Sequence, residues 1–195
     1  MTKTTIALAL CALPLAAAAA PESYTMDPYH TFANFTVDHN GVSTVHGRFD
    51  RQGGKFTIDR AAKTGSVELT VETASISTGD NDKGARPRAR DEHLRSADFF
   101  NIAEFPRMTF KSTGVKFAGE APAEITGNLS LLGVTKPVVL HVDRWMCKPH
   151  PMNKKDLCGG NVSGAIKRSD FGMKYAIPGV SDEVKLTLGF EAYKD

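Results

Sequence analysis

Apolar residues in this chain recur at every second position in one segment after another, the spacing of a strand with one buried face and one wet face. Ala33, Phe35 and Val37 alternate with Asn34, Thr36 and Asp38, and Val67, Leu69 and Val71 with Glu68, Thr70 and Glu72. Val138, Leu140 and Val142 repeat the pattern, as do Val162, Gly164 and Ile166 before Arg168, and Val184, Leu186, Leu188 and Phe190. Further strands are predicted over 43–51, 54–59, 106–117 and 123–131, with turns at Gly53-Gly54, Ala118-Gly119-Glu120 and Gly133-Val134-Thr135. The stretch from Pro87 to Phe100 breaks the period. With Pro87 in a first turn and Leu94, Ala97 and Phe99 or Phe100 on one face, it reads as a short helix. So many antiparallel strands must manage their sheet edges, and closure into a barrel removes those edges. The predicted fold is all-β, an antiparallel β-barrel of about eight strands with one short helix.

The 195 residues suffice for one domain, and no internal repeat or Pro/Gly/Ser-rich linker divides them. A net charge of +2 provides no electrostatic footprint for nucleic acid. Residues 1–20 carry Lys3, an apolar run from Ile6 to Leu15 and the block Ala16 to Ala20, the layout of a secretory signal peptide. Cleavage after Ala19 is expected, leaving a single domain over 20–195, and with it an exported, periplasmic location. Cys11 leaves with the leader. Cys147 and Cys158 remain, and an export context favours one disulfide across the polar segment 148–157. A metal site adding His150 to both thiolates is the weaker alternative, because the paired C-x-x-C spacing of structural zinc is missing.

Inward positions mix bulky Phe35, Phe49, Phe110 and Phe190 with Ala33, Gly47, Gly127 and Gly164. Such a set either packs solid or leaves a cavity, and an eight-stranded barrel is just wide enough for one apolar ligand. Motifs for a nucleophilic serine, a phosphate loop, a zinc protease or a dithiol redox centre do not occur. Asp80-Asn81-Asp82-Lys83-Gly84 reads as a solvated turn, since Gly84 stands where a calcium loop needs an oxygen ligand. His30, His39 and His46 read as structural before they read as ligands or an acid–base pair. Asp91, Glu92 and His93 read as a polar helix face, with Asp91 and Arg95 an i,i+4 pair. Arg86, Arg88, Arg90 and Arg95 read first as a solvated run, and second as a transient contact for lipid phosphate or an anionic membrane.

Several ordered motifs carry a resemblance. They are Asp27-Pro-Tyr-His30, the run from His39 to Phe49, His93-Leu-Arg-Ser-Ala-Asp-Phe-Phe100, Phe105-Pro-Arg-Met-Thr-Phe110, the run from Gly127 to Val138, and Arg168-Ser-Asp-Phe-Gly-Met173. In these the chain resembles the YceI-like family of polyisoprenoid-binding, lipocalin-like proteins over essentially 22–193. The resemblance implies a barrel around a long apolar tunnel for an isoprenoid lipid, a polyprenyl chain or a quinone tail, with no catalytic residues and no cofactor. The tunnel lining is expected from Ala33, Phe35, Val37, Val45, Phe49, Val67, Leu69, Val71, Phe99, Phe100, Met108, Phe110, Leu129, Ile166, Leu186 and Leu188. The segment between Cys147 and Cys158 departs from the family and is expected to sit over one rim. Two other readings stay open: an enzyme acting on a quinone or lipid head group through a His30, His39 or His93 base, and a structural stress-response module without ligand.

Overall fold

The computed structural model describes residues 20–195; the expected signal peptide and its cleavage point lie outside them. Eleven β-segments form one antiparallel sheet. They are β1 (Glu22–Met26), β2 (Phe32–His39), β3 (Ser43–Phe49), β4 (Gln52–Asp59), β5 (Thr64–Glu72), β6 (Ile76–Ser77), β7 (Arg107–Ala118), β8 (Ala121–Leu131), β9 (Val134–Pro149), β10 (Asp156–Lys167) and β11 (Glu183–Lys194). Three pairs of segments continue one another across short interruptions, β1 into β2, β3 into β4 and β5 into β6, so the eleven lie along eight paths. Each path is hydrogen-bonded to the next in the chain, and β11 pairs with both β2 and β1 to close the ring. This is an up-and-down barrel of eight strand paths, the predicted class.

The three interruptions occur side by side and are stitched to each other. Pro28, which has no N–H to give a ladder, stands in the first. The Gln52 side-chain amide donates to the Thr31 carbonyl, the Arg51 amide to Ser75 Oγ at 3.0 Å, and the Asp50 amide to the Ser75 carbonyl at 3.1 Å. Buried backbone that leaves the ladder is thus satisfied locally.

Several expected boundaries move. Gly53 and Gly54 are not a turn; they lie inside β4, where the reversal comes later at 60–63. A Cβ on Gly54 would come within 2.4 Å of the Glu68 carbonyl oxygen. The β8–β9 reversal is Leu132-Gly133, both left-handed (φ 52° and 73°), one position before the expected Gly133-Val134-Thr135. A two-residue hairpin of this kind needs positive φ at both centres, matching the twist of its strands. The helix is shorter than 87–100. It spans α1 (Arg90–Arg95), with Pro87 before it and Phe99 and Phe100 in the turns after it.

The bridge forms between Cys147 and Cys158, which face each other across the β9–β10 ladder. The segment between them is strand at its two ends, Lys148–Pro149 and Asp156–Leu157, with a six-residue tip at 150–155. His150 Nδ1 there accepts from the Met152 and Asn153 amides, both at 3.3 Å. Replacing Cys147 by Ser is expected to lower stability by roughly 3 kcal/mol through the short loop released in the unfolded chain. The barrel should persist, because the ladder runs on either side of the bridge. Thermal melts and circular dichroism read both outcomes.

Candidate functional site

Inward side chains from every path surround a cavity of about 440 Å³, within the roughly 300–1,000 Å³ range of small-molecule sites. Every residue expected to line a tunnel does line it except Phe49. Phe49, 4% exposed, lies behind the lining against Val71 and Ile76, its ring edge-on to Phe100 at 5.4 Å. The parity rule placed it inward correctly, but at the interruption between β3 and β4 inward means core.

Of the small inward residues, the three glycines are covered by their neighbours. Phe35 lies across Gly47 and Phe110 across Gly127, so that an added Cβ would meet the ring at 2.2 Å and 2.4 Å. Gly164 is covered in the same way by Leu140, at 2.7 Å. These glycines let large neighbours lie flat against the wall, while Ala33 faces the cavity.

At the end of the barrel carrying the disulfide, aromatic rings stop the tunnel. Tyr24 stacks on Phe56 at 4.8 Å, and Phe56 meets Trp145 at 5.5 Å and Phe190 at 6.0 Å. Cys158 is fully buried beneath them, and Arg60 reaches both sulfurs at 3.2 and 3.8 Å. The Cys147–Cys158 segment therefore lies at the floor end of the barrel rather than at its mouth.

The opposite end is the mouth. There β3 pairs with β6 only through Arg48 and Phe49, and past that point the rim is the β2–β3 hairpin, α1 and the loop 172–181. Arg168, 3% exposed, holds that loop by donating to the carbonyls of Ser181 (2.9 Å), Met173 (3.3 Å), Tyr175 (2.8 Å) and Val180 (2.8 Å). Burial draws its guanidinium pKa down from the usual arginine range. Asp182 accepts from the Ser169 amide and hydroxyl at 2.8 and 2.7 Å, bonds that lower its carboxyl pKa. Neither role is legible in the alternation, which places Arg168 just past a strand and assigns nothing to Asp182.

Asp91 does not pair with Arg95. It is 2% exposed and accepts from the Thr78 amide at 2.9 Å and hydroxyl at 2.5 Å, while Arg95 donates to the Ala74 and Ile76 carbonyls. The arginine run is spent on the fold as well. Arg86 forks onto Asp80 (2.6 and 2.7 Å), Arg88 reaches Asp98 (3.0 Å) and Arg90 binds Thr78 Oγ1 (2.7 Å). His93 lines the mouth, bonded through Nε2 to Asp98 at 2.8 Å with its ring against Phe99 and Tyr175. The bonds from His93 and Arg88 hold the Asp98 carboxyl below the usual carboxylate range. His30, His39 and His46 do not converge. His30 pairs with Asp27 at 2.7 Å outside the cavity, while His39 lies nine residues on along an extended path, on the order of 25–30 Å away.

The YceI-like domain matches residues 24–192. A UPF0312 protein of Azotobacter vinelandii is 39% identical, with 98% of each chain covered. The Campylobacter jejuni YCEI protein superposes with a TM-score of 0.66 at 27% identity, covering 81% of this chain and 90% of that one. A domain from Saccharophagus degradans, described as polyisoprenoid-binding, shares the fold at TM-score 0.61 and 18% identity, covering 88% and 98%.

Gly127→Leu should destabilise the barrel by about 1–3 kcal/mol or more, because the added side chain meets Phe110. Ala33→Leu should cost less, since its new methylenes enter the cavity; paired thermal melts compare the two. A carboxyl with a lowered folded pKa stabilises above its unfolded value, and that contribution is lost as pH falls through the folded one. Asp98 and Asp182 should therefore hold the mouth unchanged down through pH 5 and release it only below the ordinary carboxylate range. Amide exchange of 169–182 against pH should show this acid step, and Asp182→Asn should remove most of it.

Proposed function

Since the chain belongs to the YceI-like family, we propose that it is a binding or carrier protein holding one long isoprenoid chain, a polyprenyl lipid or the tail of a quinone, in its barrel. The observation that carries this reading is the cavity itself, walled by apolar side chains from every strand path and stopped by aromatic rings at one end. Burial contributes about 0.8 kcal/mol per methylene-sized group, so a chain of several prenyl units binds with few polar contacts. The Saccharophagus domain supports the ligand class. A periplasmic setting is supported by the disulfide and by the composition of residues 1–19.

Transient contact with a membrane belongs to the same reading, but through apolar side chains rather than the arginine run. Val42 (85% exposed), Tyr175 (47%) and Ile177 (37%) stand on the hairpin and the loop at the mouth. Among the described residues, the His93–Asp98 pair is the feature that favours an enzyme acting on a head group. Binding explains more of the residues, because the imidazole edge is already bonded within the rim.

Native mass spectrometry of protein purified from periplasmic extract is expected to show one apolar adduct, removed by organic solvent and restored by polyprenol vesicles. Protein that carries no adduct and takes up no polyprenol would overturn the reading. His93→Ala should keep the adduct. A folded His93→Ala protein without it would favour the head-group enzyme.

A further inference from the structure

One part of the barrel wall is not held by a backbone ladder. The β5–β7 pairing runs from Glu72↔Arg107 to Glu68↔Lys111 and stops there, although β5 begins at Thr64 and β7 continues to Ala118. Beyond the last pair, the Val67 amide donates to Ser112 Oγ at 2.8 Å in place of a strand carbonyl. On its other edge β7 stays with β8, through register shifts at Ser112/Gly114 and at Lys116/Phe117. Bulges bend the strand that carries them, and β7 leaves β5 from the first of these. Side chains span the opening: Val115 Cγ2 lies 3.7 Å from where a Cβ on Gly65 would stand. Gly65, Val67, Val115 and Phe117 all line the cavity, so it reaches this stretch of wall.

The opening sits near the end where the Tyr24–Phe56–Trp145–Phe190 rings block the axis. A chain descending from the mouth meets rings ahead of it and, to the side, a wall closed by side chains, Val115 and Phe117 among them, rather than by a backbone ladder. Rotating such side chains is a fast, local motion, whereas parting a strand ladder breaks several hydrogen bonds at once. We propose that the β5–β7 lapse is a side portal through which the far end of a bound isoprenoid chain leaves the barrel, so that chain length is not capped by the cavity. This rests on the lipid-chain reading above. It makes Val115 a residue that sets specificity for length, with long polyprenyl chains as the class it admits.

The test uses geranylgeraniol as a short probe and solanesol as a long one, with the intact protein and its single tryptophan, Trp145, as reporter beside the blocking rings. The wild type is expected to bind both probes. In Val115→Phe the solanesol-to-geranylgeraniol affinity ratio should fall by about tenfold, and in Val115→Ala it should not fall. A wild type that takes geranylgeraniol but excludes solanesol would overturn the portal, as would an unchanged ratio in Val115→Phe. If that variant does not fold, amide exchange of the wild type decides. Gly65, Val67 and Val115 should respond to solanesol and not to geranylgeraniol, and an equal response or none refutes the portal. Failure of both probes to bind the wild type would instead remove the lipid-chain reading, and the portal with it.

Discussion

The pairing of β11 with the first strand path is what makes this molecule hollow. Lys185–Gly189 bond to Phe32–Thr36, and Ala192–Lys194 bond to Tyr24–Met26, so a single strand spans the interruption at 27–31 and joins both halves of the path. An open sheet of these strands would have to fold over and bury its apolar face against a second layer. A closed ring of eight paths instead fixes the distance between opposite walls, and side-chain size decides how much of the interior is filled. Here the filling is uneven. Tyr24, Phe56, Trp145 and Phe190 occupy one end, whereas the middle, walled by Val, Leu and Ala side chains together with Phe35, Met108 and Phe110, stays open.

Glycine and aromatic residues cooperate in that unevenness. Lying flat across Gly47 and Gly127, Phe35 and Phe110 contribute a ring face to the wall and project less into the lumen than rings standing upright would. The glycines thus widen the cavity indirectly. A substitution there acts first on packing, and only through packing on capacity.

Period-two alternation made the strands, their antiparallel order and most of the lining legible, because parity along a regular strand maps directly onto inside and outside. It failed where the backbone changes parity. In β9, Val138, Leu140 and Val142 face inward, a register shift follows opposite Asn161 and Val162, and then Trp145 and Cys147 face inward. In β7, Met108 and Phe110 face inward, the shift at Ser112/Gly114 intervenes, and then Val115 and Phe117 do. The floor and the side opening both lie beyond such shifts, which is why neither could be read from the alternation. The mouth was hidden for another reason. Arg168, Asp182 and Asp91 act through carbonyls, amides and hydroxyls brought from distant segments, and side chain–backbone bonds of that kind leave no periodic trace.

The polar residues at the mouth share one property that bears on what the site recognises. Arg86, Arg88 and Arg168 and the carboxylates of Asp91, Asp98 and Asp182 are each bonded within the rim itself. Charged groups so engaged fix the shape of an opening, and a ligand that took over those bonds would lose about as much as it gained. The lumen behind them is apolar along its length. In this barrel, therefore, the lumen offers a ligand apolar width and surface, with charge confined to holding the doorway in place.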